Sequence, residues 1–127
     1  MIKRITLHCL YLLLLVACCS SCYKNKYPGC KITTPANEQV FTAGVVVAIA
    51  VEMHDDGDAL TTENLVVVKQ NSSLDTVVNH KQYDFLFRKY ILNESFVCES
   101  NTRYKILATA RGGHGNYKSD SVFIKSN

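Results

Sequence analysis

The amino-acid sequence predicts an all-β domain, a two-sheet sandwich of about seven strands, preceded by a secretion signal. Three observations carry this. From Val45 to His54 the chain alternates. Val45, Val47, Ile49, Val51 and Met53 fall on one side, and Val46, Ala48, Ala50, Glu52 and His54 on the other. A period of two with β-branched residues is the signal of a strand with one buried face. Further runs of this kind recur at intervals of roughly ten residues, separated by Gly, Asn, Asp and Ser clusters with turn chemistry. Ahead of them a basic Met-Ile-Lys-Arg start leads into an apolar run that ends in small residues, the order of a signal peptide.

Length and charge bound the rest. The chain has 127 residues and a formal charge of +3. Removing residues 1–17 as the signal leaves roughly 110, one domain of common size that needs neither a metal nor a dense disulfide frame to fold. Lys3 and Arg4 leave with the signal, so the mature balance is about +1. No basic cluster in the linear sequence suggests a nucleic-acid partner. The apolar run from Ile5 to Val16 is interrupted by His8 and Cys9 and falls short of the roughly 20 residues of a transmembrane helix, so a cleaved signal is expected.

Taken in order, Ser20 to Gly29 reads as a polar spacer, and Lys24, Lys26 and Lys31 as its solvated charge. Ten such residues reach at most about 35 Å. Lys31-Ile32-Thr33 is a candidate first strand, ended by Thr34-Pro35-Ala36-Asn37 because proline removes a ladder donor. Val45 to His54 is the second, with its larger side chains toward the core. It is stopped by Asp55-Asp56-Gly57-Asp58. Asn64 to Gln70 is apolar on both faces and reads as a central strand. Asn71-Ser72-Ser73 turns the chain, and Thr76-Val77-Val78 follows as a short strand.

Tyr83 to Leu92 fits two periods. Tyr83, Phe85 and Phe87 alternate, yet Tyr83, Leu86, Phe87, Tyr90 and Ile91 also fall at helical spacing. The aromatic content and the β-rich surroundings favour a strand. Arg103 to Ala110 alternates again, with Tyr104, Ile106, Ala108 and Ala110 on one face. Gly112 to Asn116 is a loop, and Ser121 to Lys125 is the last strand, with Val122 and Ile124 on one side.

Four of the six cysteines (Cys9, Cys18, Cys19 and Cys22) lie in or beside the signal. No Cys-x-x-Cys pair is matched by histidines as a zinc site would require. Cys19-Ser20-Ser21-Cys22 has redox spacing but not the strand-to-helix setting that activates a thiol. No Gly-x-Ser-x-Gly elbow or phosphate loop is present.

Within the signal, Leu15-Val16-Ala17-Cys18 resembles the lipobox of bacterial lipoproteins. The resemblance implies cleavage before Cys18, acylation of its thiol and anchoring to a lipid bilayer. Cys22 is the alternative, because Ser20-Ser21-Cys22 is similar to the motif of Bacteroidetes-type lipoproteins. The residue after either cysteine is not aspartate, which by the same resemblance implies the outer membrane. The missing acidic cluster implies its periplasmic side rather than the cell surface.

The stretch Asn101-Thr102-Arg103-Tyr104-Lys105-Ile106-Leu107-Ala108-Thr109-Ala110, then Gly115-Asn116, Ser119 and Val122, resembles the last two strands of fibronectin type III and related bacterial immunoglobulin-like domains. In that family a tyrosine opens the penultimate strand and packs at the sheet corner. Thr34-Pro35-Ala36-Asn37, Gly44, the Val45–Met53 strand and Asp55-Asp56 look like the front of the same modules. Two departures stand out. The chain has no tryptophan, and Arg111 replaces the aspartate that many relatives carry, which argues against an inherited calcium site. The organisation implied is a signal over 1–17, a lipidated tether over 18–29 and a sandwich over 30–127.

That topology puts the loops Asp55–Asp58 and Gly112–Asn116 at one end, together with the N-terminus. Glu52, His54, Asp55, Asp56, Asp58 and His114 would then be the residues nearest to forming a metal site, for Ca²⁺ by the carboxylates or a transition metal by the histidines. Turn-making explains the same residues, and no metal or cofactor beyond the covalent lipid is expected. Cys30 and Cys98 fall at opposite ends of a strand, beyond the roughly 7 Å that a disulfide spans. Asp75-Thr76-Val77 and Asp120-Ser121-Val122 resemble Bacteroides-type O-glycosylation sequons, with Thr76 and Ser121 as acceptors.

The function expected is a non-catalytic, membrane-anchored module that offers a rigid surface to an envelope protein or glycan. Tyr83, Tyr90 and Tyr117 are its candidate exposed aromatics. An envelope inhibitor or immunity-type lipoprotein acting through its loops is the alternative. A small metal-dependent enzyme using the His54–Asp58 and His114 end is the third.

Overall fold

A computed structural model describes residues 27–71, 75–83 and 87–127. The signal, Cys18, Cys22, and the Phe85 and Leu86 positions of the ambiguous segment lie outside the described residues. Eight strands follow in order: β1 (Gly29–Thr34), β2 (Gln39–Phe41), β3 (Val46–His54), β4 (Leu60–Lys69), β5 (Thr76–Gln82), β6 (Lys89–Val97), β7 (Arg103–Gly112) and β8 (Tyr117–Ser126). They form a three-stranded sheet in the order β1-β3-β6 and a five-stranded sheet in the order β2-β8-β7-β4-β5.

The sheets face each other across one apolar core. On β3, Val47, Ile49, Val51 and Met53 are no more than 1% exposed, while Val46, Ala48, Glu52 and His54 point to solvent. Val45 was expected on the core side. It is 43% exposed, because the strand begins one residue later and the Val45 carbonyl accepts the Cys98 N–H at 3.1 Å. On β7 the alternation holds, with Tyr104, Ile106, Ala108 and Ala110 buried. The Tyr104 ring lies 4.9 Å from that of Phe96, tilted by 60°. Its hydroxyl accepts the Glu99 N–H at 2.7 Å. This tyrosine corner ties the strand to the turn that feeds it.

The described residues hold eight strands where about seven are expected; the additional one, β2, is a three-residue strand, parallel to β8, too short and too exposed to alternate. The chain moves from one sheet to the other between β1 and β2, at the cis Thr34-Pro35 bond and Glu38 with φ 62. Asn37 Oδ1 accepts the Phe123 N–H at 2.8 Å and holds that crossing to β8. The strand expected over Tyr83–Leu92 instead spans Lys89–Val97. Its inward positions, Tyr90, Leu92, Glu94 and Phe96, include a carboxylate that breaks the apolar alternation. β4 is central, between β5 and β7, but only its inner face lies in the core. That face carries Leu60, Glu63, Leu65 and Val67, with Glu63 wholly buried, while Asn64, Val66 and Val68 are half-buried on the outside.

Side-chain bonds close the two open sides of the sandwich. On one, Asp120 Oδ2 accepts the Ile32 N–H at 2.8 Å, joining β8 to β1. On the other, His80 Nδ1 lies 2.5 Å from Glu94 Oε1 and the Tyr90 hydroxyl donates to Gln82 Oε1 at 3.0 Å. Cys30 is registered with Met53, whereas Cys98 follows Val97, the partner of Val46. The run of β3 from Val46 to Met53 sets the two cysteines about 23 Å apart along the strand, so they stand at opposite ends as expected, both as free cysteines.

Candidate functional site

The chain enters the sandwich at Gly29, which pairs with His54 at the end of β3. The His54 ring occupies the space where a Cβ on residue 29 would stand, so a larger residue there would have to displace that exposed ring. At the same end Gly112 abuts the Asp55 carboxylate and Pro28, and Gly113 abuts the Asp58 carboxylate. The two predicted loops and the N-terminal approach therefore do share one end.

Their acidic and imidazole side chains have separate tasks there. Asp55 is 3% exposed, and its Oδ1 accepts the N–H groups of Gly57 at 2.9 Å and Asp58 at 3.1 Å. It holds its own turn by the chemistry its residue type favours. Asp58 Oδ1 accepts the Ala59 N–H at 2.8 Å, and its other oxygen lies 4.0 Å from His114 Nε2. Glu52, His54, Asp55 and Asp56, with Arg88 and Lys89, line a separate shallow recess. Among the described residues no group of three His, Cys, Asp or Glu side chains is placed to hold a metal ion. Of the six candidates, Glu52, His54, Asp55 and Asp56 thus share one recess, while Asp58 and His114 stand beside each other.

A larger groove, about 560 Å³, lies on the outer face of the five-stranded sheet at the same end. It is lined by Thr62, Asn64, Lys81, Tyr83, Thr109, Arg111, Gly115 and Tyr117. The register explains how distant residues meet. Lys81, Asn64, Thr109 and Ser119 form one rung across β5, β4, β7 and β8. In the next rung Thr62 pairs with Arg111 and Arg111 with Tyr117, and Tyr83, following the Glu63 partner Gln82, stands beside Thr62. Tyr83 and Tyr117 thus stand three strands apart, about 14 Å. They are 63% and 67% exposed. Lys81 Nζ sits 5.1 Å from the centre of the Tyr83 ring, within cation–π range. Thr109 and Ser119 hydroxyls are 2.8 Å apart on the floor. Asn64 Oδ1 is buried there and takes no hydrogen bond among the described residues.

Among the described residues, the outward strand positions of this sheet carry Lys81, Arg103, Lys105, Arg111 and Lys125 and no Asp or Glu. Arg103 is bound to Glu38 at the margin, at 2.8 Å, and stacks with Lys105 over the Phe123 ring. In the linear sequence these cations are spread among neutralising residues. Only the alternation of β7, with Arg103, Lys105 and Arg111 opposite the core positions, hints at the face.

Of the three aromatic candidates, Tyr83 and Tyr117 are on this groove and Tyr90 is not. Tyr90 is half-buried, packs against the core and bonds Gln82, since even-numbered positions of β6 face inward. Tyr27 and Phe87, not among the candidate exposed aromatics, are also more than half exposed. Both are at this end: Tyr27 precedes Pro28, and the Phe87 carbonyl accepts the Leu60 N–H at 2.9 Å. Thr76 and Ser121 are exposed, at the start of edge strand β5 and on the outward side of β8.

Two packed sheets, a chain that changes sheets between its first strands and a tyrosine corner define an all-β, immunoglobulin-like sandwich of the fibronectin III-like kind. Solved structures agree. The chain is similar to superoxide reductase (neelaredoxin) of Ignicoccus hospitalis, with a TM-score of 0.62, 10% identity, and coverage of 85% of this chain and 87% of that one. It is similar to fibronectin(III)-like modules of CbhA from Clostridium thermocellum, with a TM-score of 0.53, 15% identity, and coverage of 80% of this chain. The chain spans about half the length of that structure, 48%. The CARDB domain of PF1109 from Pyrococcus furiosus matches 80% of this chain at 12% identity and a TM-score of 0.48. At such identities the likeness is one of fold. No protein-family model matches the chain, and no curated protein does.

Proposed function

We propose that this chain is a non-catalytic, membrane-anchored lipoprotein of a bacterial cell envelope, whose immunoglobulin-like domain is a binding or structural module for an envelope protein or glycan. The observation that carries this reading is how soon the domain begins. The lipobox-like Leu15-Val16-Ala17-Cys18 is followed only eleven positions later by Gly29, already paired in β1. A rigid sandwich on so short a tether is built to hold a surface near a bilayer. The reading includes lipid on Cys18, with Cys22 as the alternative, and the periplasmic side of the outer membrane. The test is intact mass of the mature protein from membranes, beside Cys18→Ala and Cys22→Ala. A diacylglyceryl-type increment that vanishes in one variant is expected, and an unmodified or uncleaved chain would overturn it.

An envelope inhibitor or immunity-type lipoprotein is a second reading. It is favoured by Val46 and Val97, 61% and 56% exposed and paired across β3 and β6 at the end away from the tether. This reading expects one stoichiometric protein partner, lost in a Val46→Asp/Val97→Asp variant. Retention of that partner by the variant would sink it.

A further inference from the structure

We infer that the sandwich seats on an anionic bilayer surface through the tether-end half of its five-stranded sheet, with Tyr83 and Tyr117 at the interface and Lys81 and Arg111 against headgroup phosphates. The inference rests on the anchored-lipoprotein reading and deepens it by naming what the groove touches.

The first support is the length of chain outside the described residues and where it ends. Eight residues separate Cys18 from Tyr27 and four separate Cys22 from it. These reach at most about 30 Å and 17 Å with the flanking bonds. The strands of nine or ten residues make a body about 33 Å long. The tether cannot lift the domain much beyond its own length, and it joins the end that holds the groove.

The second support is charge. Among the described residues the outer face carries cations and no carboxylate at its strand positions, with Asp58 at its rim beside His114 and Glu38 at the far margin on Arg103. An anionic leaflet attracts basic groups held within a screening length of about 10 Å. The third is the kind of exposed apolar residue. Tyr27, Tyr83, Phe87 and Tyr117 crowd the tether end, with Ile91 exposed on the other sheet in the same half, whereas Val40, Val45, Val46 and Val97 are exposed at the other end. Tyrosine has an apolar ring and a polar tip and settles at the headgroup level of a bilayer.

The face also discriminates against an extended peptide. β4 and β7, which carry the middle of the groove, are each paired on both sides, whereas β5 and the Tyr117–Phe123 part of β8 are edges because β2 meets β8 only at Ile124–Ser126, so the middle of the groove offers side chains and no free ladder groups. Headgroups require only cations and hydroxyl donors, which Lys81, Arg111, Thr62 and Thr109 supply.

The experiment uses the mature protein from membranes, reconstituted into acyl-brominated vesicles of phosphatidylcholine alone or mixed with phosphatidylglycerol. The chain has no tryptophan, so tyrosine emission reports bromine contact. Quenching should be at least about twice as strong on the anionic vesicles and should fall as salt shortens the screening length. In Lys81→Glu/Arg111→Glu, which still floats with vesicles through its lipid, the seated population should drop by about tenfold or more. The salt titration needs no variant, so it stands even if the double substitution impairs folding. Wild-type quenching blind to vesicle charge and salt, as when a soluble glycan or acidic protein is the true occupant, overturns the seat alone. Protein that does not float overturns the anchor and the seat together.

Discussion

At the end where the chain enters, a buried carboxylate organises the loops. Asp55 accepts two N–H groups from its own turn, and Gly112 packs on it from the neighbouring loop. At the opposite end a buried ring does the same work. Tyr104 packs on Phe96 in the core and takes the Glu99 N–H. The difference is where each anchor stands relative to the core. Tyr104 is part of the apolar interior and of the corner at once, so the far end is fixed by the same contacts that fold the domain. Asp55 binds its own turn and backs Gly112 outside the apolar core, so the tether-end loops are held by polar contacts of their own.

Truncating the two anchors would sharpen that contrast most. Tyr104→Ala should lose about 3–5 kcal/mol in denaturant unfolding through the void it leaves in the core. Tyr104→Phe should lose about 1–2 kcal/mol, the value of the hydroxyl contact. Asp55→Ala should cost about 1–3 kcal/mol for two orphaned N–H groups, with proteolysis rising at Gly57–Asp58 before global unfolding. An Asp55→Ala variant as unstable as Tyr104→Ala would break the comparison.

A smaller effect belongs to the cysteine of the tether end. Burial, and then the charge of Asp120, push the Cys30 thiol up to about 11. Its folded value lies above its unfolded one. The stabilising difference is therefore complete below the unfolded value of 9.0 and lost as pH rises toward about 11. Wild type should lose stability relative to Cys30→Ala over that window, and Asp120→Asn should narrow it. At pH 8, iodoacetamide should leave Cys30 unmodified in the folded protein. A flat difference between pH 9 and 11 would show that the thiol is not held protonated.

Much of the architecture was legible because alternation reports burial directly. Val47 to Met53 and Tyr104 to Ala110 read correctly from period two alone. The reading failed where a charged side chain faces inward. Glu63 hid the start of β4, and Glu94 hid the register of β6 and pulled the predicted strand toward the aromatic run before it. The short, parallel β2 has no period to read. The candidate site was half visible. Tyr83 and Tyr117 were flagged as exposed rings. Lys81 gave no sign, and Arg111 showed only as an outward position of β7, because the register that sets them beside those rings joins strands far apart in sequence.

The register of β1 also bears on mechanics. A pull on residue 28 directed out of the tether end runs along β1, and the domain holds that strand through its five registered pairs with β3 and the Asp120 bond. Load in that direction shears the pairs together, whereas a sideways pull opens them one at a time from Gly29. The strand that joins the domain to its tether therefore resists tension along its length far better than torque across it.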